Sequence, residues 1–336
     1  MNPKKSRAVL LLLGGILFAL FLGSFYIGRY GVDILTTCRI LLSRIFPIEE
    51  SWDPAMTTAV INIRLPRILM ACLVGCCLSS AGAAYQGVFQ NPMASPDILG
   101  ASSGAAFGAA LAILLGFSTA GIALISFFVS LLTVALVYLV AQRAQGKRVL
   151  NLVLAGMVIS SLFNAATSYI KLVADPTNQL PAITYWLMGS LSGMRLDKVV
   201  HILPAMLLGL IPLFLLRWKI NLLTLGDDEA RTMGVHAGHL RLGVVLCASL
   251  VTAASISVAG MIGWVGLVIP HLCRKLVGSN FKVLMPASML AGSAFLLLTD
   301  NISRNLIATE IPIGILTAFV GAPFFLYLML RKEGLR

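Results

Sequence analysis

The chain has 336 residues, is 58% hydrophobic and 11% charged, and carries a formal net charge of +12. Soluble domains carry about 25% charged residues, so this composition excludes a soluble globular protein, and no stretch between the apolar runs is long enough for a second, soluble domain. The basic excess raises nucleic-acid binding, but no basic patch with interleaved aromatics occurs, and membrane topology accounts for the charge without it.

A spanning helix needs roughly 20 mostly apolar residues. Ten segments qualify: about 8–28, 60–85, 96–116, 119–141, 149–171, 197–216, 241–260, 262–277, 283–303 and 311–330, the eighth being short. Helices are expected because lipid offers backbone groups no outside partner. The weak alternation argues against an outer-membrane barrel.

The first segment follows Lys4-Lys5-Ser6-Arg7, as a signal peptide would. Its apolar run to about Ile27 exceeds a usual signal core, so a retained helix is expected. Residues 31–60 are amphipathic and lead into Arg64-Leu65-Pro66-Arg67, where proline suits the first turn of a helix. Cys72, Cys76 and Cys77 crowd the second segment. No matching His or Cys spacing supports zinc, so these three, like Cys38, Cys247 and Cys273, read as small apolar residues. Gln90 to Pro96 is a turn. Gly100, Gly104 and Gly108 recur every fourth residue, a small face that lets another helix approach closely.

Gly146-Lys147-Arg148 links the fourth and fifth segments. It is not a phosphate loop: Ala141 stands where the upstream glycine belongs, and no Ser or Thr follows the lysine. The fifth segment repeats Gly156, Ser160, Asn164 and Ser168 on one face. Such a stripe is costly against lipid; it either bonds to another helix or lines a water-accessible path. Asp175 to Trp186, within a connecting stretch of about 173–195, breaks at its prolines, and Tyr185 and Trp186 suit a membrane interface.

The polar island Leu222 to Val235 holds Asp227, Asp228 and Glu229, three of only 13 acidic residues. These acids stand at a helix N-terminus, where the dipole favours them. Leu222, Leu223 and Leu225 offer apolar anchors to a partner. Beyond it, His271 follows Pro270 in an apolar helix and reads as structural. Asp300 and Arg304 have the spacing of a helical ion pair. Asp300 and Glu310 lie near helix ends, so no ionisable relay sits near mid-membrane as a proton-coupled carrier requires. No metalloprotease or serine-hydrolase motif occurs. Energy is therefore expected from a partner. Placing the N-terminus inside puts sixteen of the 25 basic residues on that side and both termini with it.

Several motifs occur in order: Arg64-Leu-Pro-Arg67, Asn91-Pro-Met-Ala-Ser-Pro96, Trp186-Leu-Met-Gly-Ser190, Leu225-Gly226 with Glu229-Ala230 and Gly234, Gly263-Trp-Val-Gly-Leu-Val-Ile-Pro-His271, Asp300 with Arg304, Glu310-Ile-Pro-Ile-Gly314, and Gly321-Ala-Pro323. Together, from about residue 60 to 330, they resemble FecCD-type permeases, the membrane subunits of type II ABC importers for iron–siderophores, haem and vitamin B12. Met93 and Trp264 stand where such proteins often have Leu and Phe, and both keep bulk and apolarity.

The resemblance implies an all-α, polytopic fold of about ten helices, a single transmembrane permease domain over residues 1–336. It implies a second permease copy forming a homodimer around the path, two cytoplasmic ATPases that bind ATP and magnesium, and an extracytoplasmic binding protein. The chain itself would hold no cofactor, no metal and no catalytic residue. Coupling to the ATPases would fall to about 221–240, with Leu222, Leu225, Gly226, Asp227, Asp228, Glu229, Ala230, Arg231 and Gly234. Arg64, Arg67 and Arg304 would meet the binding protein. Asn91, Met93, Val149 and Leu150 would form the cytoplasmic gate, and Gly156, Ser160, Asn164 and Ser168 would line the path. The implied location is a bacterial or archaeal inner membrane. The cargo would be a metal chelate, first an iron–siderophore, with haem, cobalamin or molybdate as alternatives. A stand-alone carrier or channel is the reading of another class.

Overall fold

The computed structural model describes residues 3–28, 30–44, 46–49, 51–145, 148–307 and 309–330, without the side chains of Pro3, Arg148, Asp227, Asp228, Leu328 and Met329. The described residues form helices and turns with no strand. Seven helices are long and apolar enough to cross a membrane, and two apolar helices, Ala101–Leu114 and Ile313–Tyr327, are shorter.

In chain order, α1 spans Pro3–Tyr26, α2 Ile34–Leu42 and α3 Pro54–Thr57. Asp33 caps α2 by accepting from the Thr36 amide at 3.0 Å. From α3 the helix continues through a π-helical stretch, Thr58–Arg64, into α4, Leu65–Val88. Pro66 has no N–H to give to the preceding turn, and a π-turn immediately before it absorbs the mismatch. The proline thus sits inside one continuous helical rod of 35 residues, where the sequence had suggested a helix start.

A short 3-10 helix, Pro96–Leu99, precedes α5 (Ala101–Leu114). Gly100 caps this junction with φ of 73°, so the expected span beginning at 96 starts five residues later. Next come α6 (Thr119–Arg143), α7 (Arg148–Val173), α8 (Gln179–Leu187) and α9 (Leu196–Leu215). Two short helices follow, α10 (Arg217–Leu223) and α11 (Asp227–Thr232), before α12 (Ala237–Ala259), α13 (Val265–Val277), α14 (Phe281–Asn305) and α15 (Ile313–Leu330).

The α4 rod is the hub, packed on α14, α12, α13 and α9. Small residues allow this closeness. A Cβ on Gly82 would lie 1.8 Å from the Gly266 carbonyl oxygen, and one on Gly75 2.2 Å from that of Gly292. Hydroxyls fasten the α4–α14 seam: Ser79 Oγ lies 2.8 Å from the Ser288 carbonyl, and Ser293 Oγ lies 2.8 Å from that of Cys72. Lipid provides no hydrophobic drive between helices, so close contact and hydrogen bonds must supply the association.

The glycine face of α5 packs on α6 in the same way. Gly104 faces Thr133 and Gly108 faces Val129; Ser126 and Ser130 donate to the carbonyls of Ala105 (3.0 Å) and Ala101 (2.8 Å). At the break between α12 and α13, Trp264 takes φ of 70°, a conformation strained for a bulky residue. Its side chain fills the space left by Gly321 of α15, where a Cβ would come within 2.5 Å.

Candidate functional site

Two clusters occupy opposite ends of α4 and α14, which run antiparallel. A helix of α4's 24 residues is about 36 Å long at 1.5 Å per residue.

At one end lies the polar island. Gly226 (φ 128°) opens α11 and Gly234 (φ 76°) closes it. The closure is a Schellman arrangement, with Val235 N bonded to Ala230 O at 3.0 Å and Gly234 N to Arg231 O at 2.9 Å. A Cβ on Gly226 would lie 2.4 Å from Glu229 Oε2, so the Glu229 carboxylate folds back over the helix start. Ala230, Leu223 and Ile220 are buried, whereas Leu225, Met233 and Trp218 are exposed. The sequence offered Leu223 as a partner anchor. The fold instead spends it in the chain's own core, while Met233, which sequence reasoning missed, stands out beside Leu225. In a six-residue helix, a periodicity signal is too short to separate the two faces.

The island is tied to the hub. Gln90, just beyond α4, donates its side-chain amide to Leu223 O at 2.5 Å. Asn221 donates to Asn280 Oδ1 at 3.1 Å and accepts from the Phe281 amide at 2.9 Å, joining α10 to the start of α14. Ile220 packs where Gly87 of α4 leaves room.

At the other end sits a charged cluster. Arg67 Nε donates to Asp300 Oδ1 at 2.8 Å, and Arg67 Nη1 reaches both Glu310 oxygens at 2.9 Å. Arg304 Nε lies 3.2 Å from Asp300 Oδ2, the pair anticipated from their spacing. Arg304 also donates to Asn301 Oδ1, and Asn301 Nδ2 bonds Ser24 Oγ of α1 at 2.6 Å. Arg64 donates to the carbonyls of Phe25 and Tyr30. Side-chain exposure is 6% for Arg67, 0% for Asp300 and 31% for Glu310.

The sequence presented Arg64, Arg67 and Arg304 as charges facing a soluble partner. In this chain all three guanidinium groups turn inward and are buried. A buried charge is costly unless paired and hydrogen-bonded: Asp300 pairs with Arg67 and Arg304, Glu310 pairs with Arg67, and Arg64 bonds to two backbone carbonyls. Glu310, the half-exposed member, is the edge that the cluster shows to solvent.

The predicted gate residues are only partly gathered. Asn91 is exposed and accepts from the Met93 amide at 2.9 Å. Val149 and Leu150 lie in the first turn of α7, which begins at Arg148. Leu150 is exposed. The 3-10 helix that follows the turn meets α7 further along, where Gly156 lies against Ile98: a Cβ there would stand 1.9 Å from Ile98 O. Gly156 is therefore a packing glycine at this contact. Ser160 is half-buried near Gly100, whereas Asn164 and Ser168 remain exposed on α7 among Val158, Leu162 and Leu172.

The His271 ring centre stands 6.4 Å from that of Phe324, and its Nε2 is buried without a hydrogen-bond partner. Among the described residues no group of three His, Cys, Asp or Glu side chains could hold a metal. The six cysteines are free.

Residues 15–331 match the FecCD transport family. The chain is 40% identical to the molybdate import system permease protein MolB of Haemophilus influenzae, covering 92% of each chain. It is 41% identical to an iron chelatin transport system permease protein of Helicobacter pylori, covering 83% of this chain and 85% of the relative. A solved structure described as an inward-facing conformation of a metal-chelate type ABC transporter superposes with a TM-score of 0.86 at 39% identity, covering 97% of this chain and 99% of the other.

Proposed function

The chain belongs to the FecCD transport family and is a multi-pass membrane permease of an ABC importer, and from that premise we propose how it takes part in transport. The island from Leu222 to Val235 receives the ATPase subunits on the cytoplasmic side, with both termini on that side and the membrane a bacterial or archaeal inner membrane. Leu225 and Met233 are the apolar contacts, flanked by Glu229 and Arg231. The observation that carries this reading is the bonding of the island to α4 and α14 through Gln90, Asn221 and Asn280. A push on α10 reaches the two helices that span the hub.

A second copy closes the path, and the exposed face of α7 with Asn164 and Ser168 forms part of its wall. Apolar Val149 and Leu150, with Asn91 and Met93, narrow its inner end, where dewetting can stop flow. A soluble binding protein docks at the end that holds Arg64, Arg67 and Arg304, whose buried network shapes that surface. The ATPases supply ATP and magnesium; this chain supplies the path and the lever.

The cargo is a metal chelate, first an iron–siderophore. Molybdate is the second reading, favoured by the relative that covers 92% of this chain. Reconstitution with the ATPase and binding protein tests both. ATP-dependent uptake of ferric siderophore, and not of molybdate, is the expected result. Uptake of molybdate alone moves the protein to the oxyanion branch, and transport without ATPase overturns the importer reading.

A further inference from the structure

The charged cluster touches a second feature that no coupling or path residue explains. Three connecting turns meet beside it: 188–190 after α8, 260–264 after α12, and 310–312 before α15. Ser190 N donates to Ala259 O at 2.8 Å, Ile313 N to Gly189 O at 2.9 Å, and Gly314 N to Met188 O at 3.1 Å. The first amides of α15, which have no partner within their own helix, are thus capped by carbonyls of the α8–α9 turn. Glycines make the approach possible. A Cβ on Gly189 would stand 2.5 Å from Met261 O, one on Gly260 2.3 Å from Trp186 O, and one on Gly314 2.3 Å from Met188 O.

The third turn has a single charged tether to the hub among the described residues, the Arg67–Glu310 pair. Ser303 Oγ, at 2.6 Å from Ile311 O, fixes the same turn to the end of α14. We propose that Arg67 and Glu310 are positioning residues for transport: their ion pair holds the 310–312 turn on α4 and α14, and so sets where the capped start of α15 holds α8. Arg67 serves two acids with different jobs. Asp300, shared with Arg304, holds it inside the hub, and the more exposed Glu310 can let go while Arg67 keeps its bond to Asp300. Release of Glu310 would detach the 310–312 turn from α4 and leave it tied to α14 by the two Ser303–Ile311 bonds, at 2.6 and 3.2 Å, so that α8 and the start of α15 pivot together about the end of α14. This rests on the permease reading for its role in transport, but the mechanical claim stands on the bonds alone.

Hydrogen exchange on the purified full chain in lipid nanodiscs tests it. Glu310→Gln should raise exchange at the amides of Ser190, Ile313 and Gly314 by about tenfold, the scale of one charge-assisted hydrogen bond, with α4 interior amides unchanged. Glu310→Asp, which retains the charge, should restore most of the protection. Unchanged exchange at these three amides overturns the proposal, as does equal loosening in both variants. Uniform loosening across α4 also overturns it, by making the pair a general stabiliser. In the reconstituted complex the Gln variant should alter uptake with the exchange change. If exchange responds but the wild-type complex never takes up cargo, the latch stands and the importer reading fails.

Discussion

The side-chain amide of Gln90 reaches the backbone carbonyl of Leu223 at 2.5 Å, across 133 positions of sequence. It joins the end of the central helix to the short helix that precedes α11. Neither atom belongs to a side chain of opposite charge or to an apolar pair, so nothing in the residue types marks the two as partners. The bond makes α10 an extension of the hub.

Gln90→Leu removes the donor and keeps the bulk. Uptake per ATP hydrolysed in the reconstituted complex should fall, while thermal stability of the purified chain drops by about 1 kcal/mol, the net worth of one hydrogen bond. An unchanged coupling ratio would show that the bond transmits nothing.

Leu225 and Met233 are exposed and Leu223 is buried. Leu225→Asp and Met233→Asp should each weaken co-purification with the ATPase by about tenfold or more, the scale of a lost interface anchor, and leave the melting temperature alone. Leu223→Asp should reverse the pattern by lowering yield and stability first. Equal assembly in the two exposed variants would remove the island from the interface.

Arg67→Ala removes one of the two guanidinium groups that pair with Asp300, whose side chain is 0% exposed, and takes from Glu310 its ion-pair partner. Loss of one partner of a buried pair costs about 3–5 kcal/mol, so this variant should unfold at markedly lower denaturant. Replacing all three charges, Arg67→Met, Asp300→Leu and Arg304→Met, should recover much of the loss, because Asp300 also pairs with the buried Arg304 at 3.2 Å and the triple change strands neither. A triple variant as unstable as the single would contradict the pairing.

Gly82→Ala places a methyl 1.8 Å from the Gly266 carbonyl and should cost about 1–3 kcal/mol by overpacking. Gly243→Ala in α12 meets nothing within 4 Å and should be neutral or slightly stabilising through helix propensity. Thermal unfolding in detergent separates the two.

Asn164→Trp and Ser168→Trp add bulk to an exposed face of α7. Uptake should be lost with assembly and stability retained. Normal uptake in both would take that face out of the path.

The residues by themselves determined the helical, multi-pass class and most of the long spans. They also marked the polar island and the pairing of Asp300 with Arg304. Each of these is local: hydrophobic run length, a cluster of acids in an apolar chain, or a spacing of four on one helix. The tertiary structure alone decided that Arg67 pairs with Asp300 and Glu310, at separations of 233 and 243 residues. It also decided that Arg64 and Arg304 turn inward, that Leu223 is core while Met233 is surface, and that Gly156 is packing while Asn164 is open. The physical reason is the solvent. In water, a helix shows its buried face by being apolar against a polar outside. In lipid both faces are apolar, so the inner face is marked only by small residues and hydroxyls, and which helix they meet is settled when the chain packs.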